Sequence, residues 1–156
     1  MVFASSRLHW LVYGLLACLL MMPQAAQAAA PAVALYYGRT IPLEEFRTFD
    51  IVVVEPDHGH DPVRYQASGS TLYAYVSVAE AHPSRAYYAN IPPSWKMARN
   101  GQWNSDVLDQ TPEAWPDFFA TRVVGPLWER GYKGFFLDTL DSYRLAEKFD
   151  ETAQQE

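Results

Sequence analysis

Four short apolar segments, separated by helical or irregular ones, constrain the fold of this chain more than any other feature of its sequence. They are residues 33–37, 51–54, 71–78 and 135–137. Each is rich in β-branched or aromatic residues, which is typical of buried strands. Segments with helical spacing follow the first two and precede the last. Such an alternation predicts an α/β fold with a parallel sheet and right-handed crossovers.

The connection between the third and fourth predicted strands is the longest in the chain. Residues 81–111 are rich in Pro, Asn and Trp and show no periodicity, so we predict irregular structure there. Pro112 then opens a predicted helix that Pro126 kinks or splits and that Gly131 ends. A last helix is predicted to begin at Leu145.

Polar side chains follow each predicted strand. They are Tyr36 and Tyr37 after the first, Glu55 and Asp57 after the second, Ser77 and Glu80 after the third, and Asp138 and Asp141 after the fourth. Because the carboxyl ends of parallel strands meet at one edge, we expect the carboxylates to converge there, where α/β proteins bind ligands. Glycoside hydrolysis needs such a pair, one as nucleophile or base and one as acid. For Asp141 the alternative of a helix N-cap stays open.

The composition narrows the classes of function. The chain has 18 Asp and Glu against 12 Lys and Arg. It contains no basic tract, which argues against nucleic acid and anionic membranes as partners. Most of its many aromatic side chains are expected in the core, Trp115 and Trp128 among them. Acidic and aromatic residues together are nevertheless also typical of sugar-binding clefts.

The first 28 residues have the pattern of a secretory signal peptide. Arg7 precedes an apolar run at 11–22, and Ala26-Gln27-Ala28 provides a small-x-small cleavage pattern. The apolar run is shorter than the roughly 20 residues needed to span a bilayer. We therefore expect an exported, periplasmic protein with no membrane span in its mature part. The mature part, residues 29–156, has no cysteine and is sized for one small domain.

The segment 57–61 (Asp-His-Gly-His-Asp) offers a second kind of chemistry. Asp57, His58 and His60 are types of residue that bind zinc, so a metal-dependent hydrolase is an alternative. Pro56, Gly59 and Pro62 instead favour a tight turn, and the sequence shows no further ligand for a metal. We therefore predict neither a metal nor an organic cofactor.

Four passages carry a resemblance to a known family. They are VALYYG at 33–38, YAYVSVAEA at 73–81, the spacing of Trp95, Trp103 and Trp115, and GFFLDTLDSY at 134–143. With them, the chain resembles the barrel of glycoside hydrolase family 114, and the Leu-Asp-x-x-Asp strand end at 137–141 is the most specific match. Ala79, where relatives often have Gly, is a mild departure.

The resemblance implies a (β/α)8 barrel of the TIM type, of which about the first four βα units lie in this chain. It implies hydrolysis of an exopolysaccharide rich in α-1,4-linked galactosamine. Asp138 would be one of two catalytic carboxylates and act as the nucleophile. Asp141, Tyr36, Glu80 and Tyr143 would contact the substrate. The second carboxylate would be a Glu on a later strand that this chain does not include.

An acidic cleft suits a polymer that carries protonated amines, because opposite charges attract. The expected partners are therefore this cationic polysaccharide and exopolysaccharide export machinery. The alternative from another class is a non-catalytic glycan-binding or assembly module of exopolysaccharide biosynthesis, which would hold the polymer without cleaving it.

Overall fold

The computed structural model describes residues 30–66 and 71–155, except for the side chains of residues 151 and 155. All described elements belong to one unit, Pro31–Glu156. The predicted signal peptide lies outside the described residues and stays a prediction. Within the described residues, no helix has the length and apolar character needed to cross a bilayer.

The described residues form seven strands, numbered β1 to β7 in chain order. They are β1 Val33–Tyr36, β2 Ile51–Val54, β3 Thr71–Ser77, β4 Glu80–Ala81, β5 Lys96–Asn100, β6 Ser105–Leu108 and β7 Gly134–Asp138. Strands β1, β2, β3 and β7 form one parallel sheet in that order. The four strands predicted from the sequence and their parallel arrangement are thus confirmed.

The two faces of the parallel sheet have different surroundings. Val52, Leu72 and Ala74 are fully buried on one face, in a core that also includes Leu127 and Tyr132. The opposite face, which we call the inner face, presents the alternate residues of each strand. On it, Leu35 is 55% and Phe136 is 37% exposed. The helices therefore cover one face, while the inner face is open near β1 and β7.

Short helices connect the strands. Residues Leu43–Phe46 form a 3₁₀-helix, Pro62–Gln66 an α-helix, and Ser142–Leu145 and Pro56–His58 further 3₁₀-helices. The predicted helix at 112–130 is observed as α-helix Trp115–Phe118, π-helix Phe119–Val124 and α-helix Gly125–Glu129. The predicted interruption at Pro126 is confirmed, because the hydrogen-bond register changes just before Gly125. Gly131 ends this segment with a φ of +104°, as a C-terminal glycine does.

Two predictions of secondary structure are wrong. Residues 81–111 are not irregular throughout, because β4, β6 and β5 form a three-stranded antiparallel sheet. No helix begins at Leu145; a 3₁₀-helix ends there and the last helix is Glu151–Gln155. Trp115 is buried beside Leu108 and Ile91 as expected.

Candidate active site

A cleft of about 690 Å³ opens at the carboxyl edge of the parallel sheet. The ends of β2, β3 and β7 contribute Glu55, Ser77 and Asp138. The turn between β5 and β6 contributes Trp103, and Asp141 lies on the segment after β7. The antiparallel sheet therefore forms a wall of the cleft that the strand pattern did not predict.

Asp138 ends β7 on the inner face, and both of its carboxylate oxygens accept hydrogen bonds. The Tyr75 hydroxyl donates to Oδ2 at 2.8 Å, and the backbone N–H of Thr139 donates to Oδ1 at 2.8 Å. Because β3 and β7 are paired with Tyr75 opposite Phe136, the tyrosine reaches Asp138 along the same face. The carboxylate is thereby held in one orientation at the floor of the cleft.

Thr139 has a backbone conformation that supports this arrangement. Its φ of +64° lies in the left-handed region, which is costly for a β-branched residue. Its hydroxyl lies 2.9 Å from the Ser77 hydroxyl and accepts a hydrogen bond from the Ala79 N–H at 3.1 Å. These contacts tie the residue after Asp138 to the end of β3, so the turn that aims the Thr139 N–H is fixed from two sides.

Glu55 and Asp57 form an ion-pair cluster with Arg85. The guanidinium of Arg85 donates to both oxygens of Glu55, at 2.5 and 2.9 Å, and to Asp57 Oδ2 at 2.8 Å. The Arg85 and Glu55 side chains are only 16% and 15% exposed. A bidentate pair with so little exposure to water is a strong structural contact. It connects the end of β2 to the passage after β4.

Burial and the nearby carboxylates raise the pKa values of two tyrosines in the cleft. Burial, followed by the charges of Asp138 and Glu55, raises the pKa of Tyr37 above its ordinary value. Burial and then the hydrogen bond to Asp138 raise the pKa of Tyr75 further. The two rings contact each other edge to face, with centroids 5.0 Å apart. Both hydroxyls therefore hold their protons more tightly than an ordinary tyrosine does, and Tyr75 donates its proton to Asp138.

Glu80 lies in the wall of the cleft and is 5% exposed. Asn100 Nδ2 donates to its two oxygens at 3.1 and 3.3 Å, and the Ser142 hydroxyl donates to Oε1 at 2.6 Å. The Ser105 hydroxyl donates to Oε2. Asn100 and Ser105 belong to the antiparallel sheet and Ser142 follows β7, so Glu80 joins the sheet to the segment after β7.

The structure brings together three of the five residues selected from the sequence. Asp138, Asp141 and Glu80 line the cleft. Tyr36 does not, because it lies on the helix-covered face, where its hydroxyl accepts a hydrogen bond from the Ile41 N–H at 2.7 Å. Tyr143 is 1% exposed and packs against the Phe149 ring. Neither tyrosine is therefore placed to contact a ligand in the cleft, and Tyr37 takes the place expected for Tyr36.

Asp141 has the position of an N-cap but does not act as one. It precedes the 3₁₀-helix Ser142–Leu145, yet its side chain makes no capping hydrogen bond there. The alternative of a purely structural cap is thus not supported by the geometry. The exposed Asp141 side chain faces the cleft instead.

The segment 57–61 is engaged in structural contacts. Asp57 pairs with Arg85, and His58 Nδ1 lies 3.1 Å from the Gly38 carbonyl oxygen. Asp61 accepts the backbone N–H groups of Val63 and Arg64, each at 3.0 Å. In the described part of the chain, no three His, Cys, Asp or Glu side chains are arranged to hold a metal ion.

Several cleft residues were not selected from the sequence. They are Tyr75, His82, Arg85, Asn100, Trp103, Thr139, Ser142, Arg144 and Leu145, whereas Tyr37, Glu55 and Ser77 are among the strand-end residues that the sequence placed at this edge. For Tyr75 the sequence did contain a signal. Tyr75 lies two residues before Ser77, so the two side chains share one face of the strand that ends at the cleft. For Trp103 the signal was Asn100-Gly101, a dipeptide that favours a hairpin turn.

The fold and the acidic strand ends indicate the class of protein, and the comparison with protein families identifies the family. Parallel strands with a ligand cleft at their carboxyl edge are the arrangement of (β/α)8 enzymes. The model of glycoside hydrolase family GH114 matches residues 21–156. The chain belongs to this family, as its sequence predicted.

Solved structures agree with the family. The glycoside hydrolase domain of PelA from Pseudomonas aeruginosa is 36% identical with a TM-score of 0.64, and the match covers 81% of this chain and 50% of that one. Ega3 from Aspergillus fumigatus, solved in complex with galactosamine, is 13% identical with a TM-score of 0.60, over 81% and 53% of the two chains. This second likeness shows the fold alone.

The chain thus spans about half the length of these two solved structures. The likeness confirms the predicted fold class, an α/β chain with about four βα units of a (β/α)8 barrel. A comparison with curated proteins gave no match.

Proposed function

We propose that the protein containing this chain is a glycoside hydrolase that cleaves a polysaccharide rich in α-1,4-linked galactosamine, and that Asp138 is its catalytic nucleophile. One observation carries the proposal: a family GH114 chain holds a strand-end carboxylate at the floor of a cleft, with both oxygens fixed by donors. An exopolysaccharide of the Pel type is the expected polymer, because the PelA hydrolase domain is 36% identical.

The contacts of Asp138 suit a nucleophile rather than a proton donor. Tyr75 and Thr139 both donate to the carboxylate, so its oxygens act as acceptors. A carboxylate held this way can approach the anomeric carbon from a fixed direction. It would form a glycosyl intermediate or stabilise an oxocarbenium-like transition state.

The proton donor for the leaving oxygen is proposed to be a Glu from outside the described residues. Within them, Arg85 engages both oxygens of Glu55, and three side chains engage those of Glu80. The side chains of both glutamates are thus engaged in structural contacts. Asp141 is exposed in the cleft and is proposed to bind a sugar hydroxyl or amine.

The charge of the cleft supports a cationic substrate. Four carboxylates (Glu55, Glu80, Asp138 and Asp141) line it against two arginines (Arg85 and Arg144), and Arg85 is already paired with Glu55 and Asp57. The protonated amines of a deacetylated galactosamine polymer would be attracted by the remaining negative charge. Export to the periplasm, and contact with exopolysaccharide export machinery, are proposed from the sequence of the first 28 residues and from the substrate.

The experiment is a hydrolysis assay with the complete natural protein that contains this sequence. Partly deacetylated α-1,4-galactosamine polymer is the substrate, and release of reducing ends is the measurement. We expect cleavage of this polymer and none of a β-1,4-linked glucosamine polymer, which carries the same kind of charge but differs in both the sugar and the linkage. Absence of cleavage, with retained binding, would replace the proposal with the non-catalytic glycan-binding module.

Tyr75→Phe should slow the reaction without weakening substrate binding. The substitution removes a single hydroxyl and its hydrogen bond to Asp138. A hydrogen bond to a charged group contributes about 1.5–3 kcal/mol, so we expect kcat to fall about tenfold or more with little change in KM. Tyr73→Phe is the matched control, since Tyr73 lies on the same strand and face but packs against Gly134. Equal kinetics for both variants would show that Tyr75 does not position Asp138.

A further inference from the structure

Trp103 is a large aromatic side chain that the proposed reaction does not use. It lies in the turn between β5 and β6, is 68% exposed, and lines the same cleft as Asp138 and Asp141. Covering the exposed part of this indole would remove apolar surface from water, which is favourable. A ligand in the cleft can provide that cover.

The turn that carries Trp103 is anchored on both sides. Asn100 and Ser105, which flank it, both donate hydrogen bonds to the buried Glu80. Within the turn, the Gln102 N–H donates to the Asn100 side-chain oxygen at 3.1 Å. Asn104 adopts a φ of +53°, a conformation that Asn tolerates better than most residues. These contacts fix where the turn lies relative to the cleft.

A charged cluster stiffens the strands below the turn. Asp106 accepts from Arg99 at 2.7 Å and lies 3.1 Å from Lys96 Nζ, and Tyr88 donates to it as well. Burial alone would raise the pKa of Asp106, but these three partners outweigh it and lower the pKa to about 2. Because this pKa is depressed, the stabilisation is present above the ordinary value near 4 and is lost only as the pH falls toward 2. The contacts of Asp106 with Arg99 and Lys96, which stabilise the strands that carry Trp103, are therefore kept at neutral pH.

We propose that Trp103 forms a sugar-binding subsite at the rim of the cleft, where its ring stacks on a galactosamine residue next to the one that reacts at Asp138. This inference rests on the proposed function. A pyranose ring has one face of C–H groups, which an indole can cover. Its protonated amine is attracted by the electron-rich ring face. The rigid turn lowers the conformational entropy lost on binding.

The chain offers a matched control for the tryptophan. Trp128 is 51% exposed but lies in the helix Gly125–Glu129, outside the cleft. The ammonium group of Lys133 lies 3.7 Å from its ring centroid, so that ring face is already covered by a cation. Replacing Trp128 removes an exposed indole without touching the cleft.

The test measures oligosaccharide binding by calorimetry with the complete natural protein. All variants carry Asp138→Asn, so that no oligosaccharide is consumed. The ligand is an α-1,4-linked galactosamine pentasaccharide, and its fully N-acetylated form is compared. We expect Trp103→Ala to weaken binding about tenfold, which corresponds to ~1.4 kcal/mol. Trp103→Phe should retain part of the affinity, and Trp128→Ala should bind as the parent does. The N-acetylated ligand should lose less on Trp103→Ala, since it has no cation.

The outcomes separate this inference from the proposed function. Unchanged binding in Trp103→Ala, or equal losses in Trp103→Ala and Trp128→Ala, would overturn the subsite even if the protein hydrolyses the polymer. No measurable binding by the parent would overturn it as well. A selective loss in Trp103→Ala supports the subsite whether or not hydrolysis is observed, because binding does not depend on turnover.

Discussion

Asp138→Asn is expected to abolish hydrolysis, with a loss of at least about a thousandfold in kcat. The substitution keeps the shape of the side chain but replaces the anionic carboxylate with a neutral amide, which is a much weaker nucleophile and has no charge to stabilise a positive anomeric carbon. The fold should persist, because one amide oxygen can still accept the bond that Tyr75 donates. Reducing-end release is the measurement, made with the complete natural protein.

Asp117→Asn is the control for this variant. Asp117 is exposed on the helix Trp115–Phe118, so the same chemical change occurs away from the cleft. It should leave kcat within about twofold, as surface substitutions usually have small effects. Parent-like rates in Asp138→Asn would remove Asp138 from the reaction and with it the proposed mechanism.

Arg85→Ala is expected to cause the largest loss of stability. It would leave the carboxylate of Glu55, 15% exposed, without its guanidinium and next to Asp57. Removing one partner of a mostly buried ion pair costs about 3 kcal/mol or more. For a unit of this size that loss would lower Tm by about 10 °C, which thermal unfolding followed by circular dichroism can measure.

Two further variants distinguish the ion pair from simple loss of packing. Arg85→Lys keeps the charge but not the bidentate geometry, so it should recover only part of the stability. Arg64→Ala removes an exposed arginine of the helix Pro62–Gln66 and should change the free energy of unfolding by less than about 0.5 kcal/mol. Equal Tm values for Arg85→Ala and Arg64→Ala would contradict the structural role of the pair.

The parallel sheet was predictable because the local sequence of each strand is sufficient to indicate it. Residues 51–54 are a β-branched run that is fully or nearly buried apart from its first residue, as the pattern indicated. The positions of Asp138 and Asp141 followed from the same logic, since strand ends of a parallel sheet share one edge. The family resemblance then gave these positions their chemical meaning.

The antiparallel sheet was not predictable from periodicity. Strand β6 is buried at all four positions, Ser105 and Asp106 included, so it has no alternation of polar and apolar residues. Its polar side chains are buried because Glu80, Arg99 and other partners satisfy them, and such partners are known only in three dimensions. The short strand β4 gives no sequence signal at all.

Assignment of side chains to faces was the other source of error. Tyr36 and Tyr37 are adjacent, so they point to opposite faces, and the end of a four-residue strand does not reveal which is inward. Trp128 was expected in the core but is exposed, because the thirteen residues that separate it from the buried Trp115 are not a whole number of helical turns and the two side chains lie on different faces. Tyr143 was expected in the cleft because the family resemblance implied it, but in the 3₁₀-helix Ser142–Leu145 its side chain is buried.

The antiparallel sheet also bears on how the chain folds. Strands β3 and β7 pair directly, with Tyr73 opposite Gly134, so about sixty residues must be closed into a loop before that pairing forms. Roughly half of that loop belongs to the segment from β4 to β6, whose contacts are mostly local. If this segment orders first, the flexible part of the loop is halved, which lowers the entropic cost of closure by ~0.6 kcal/mol. The antiparallel sheet that forms a wall of the cleft would then also shorten the flexible connection between β3 and β7 and so favour their pairing.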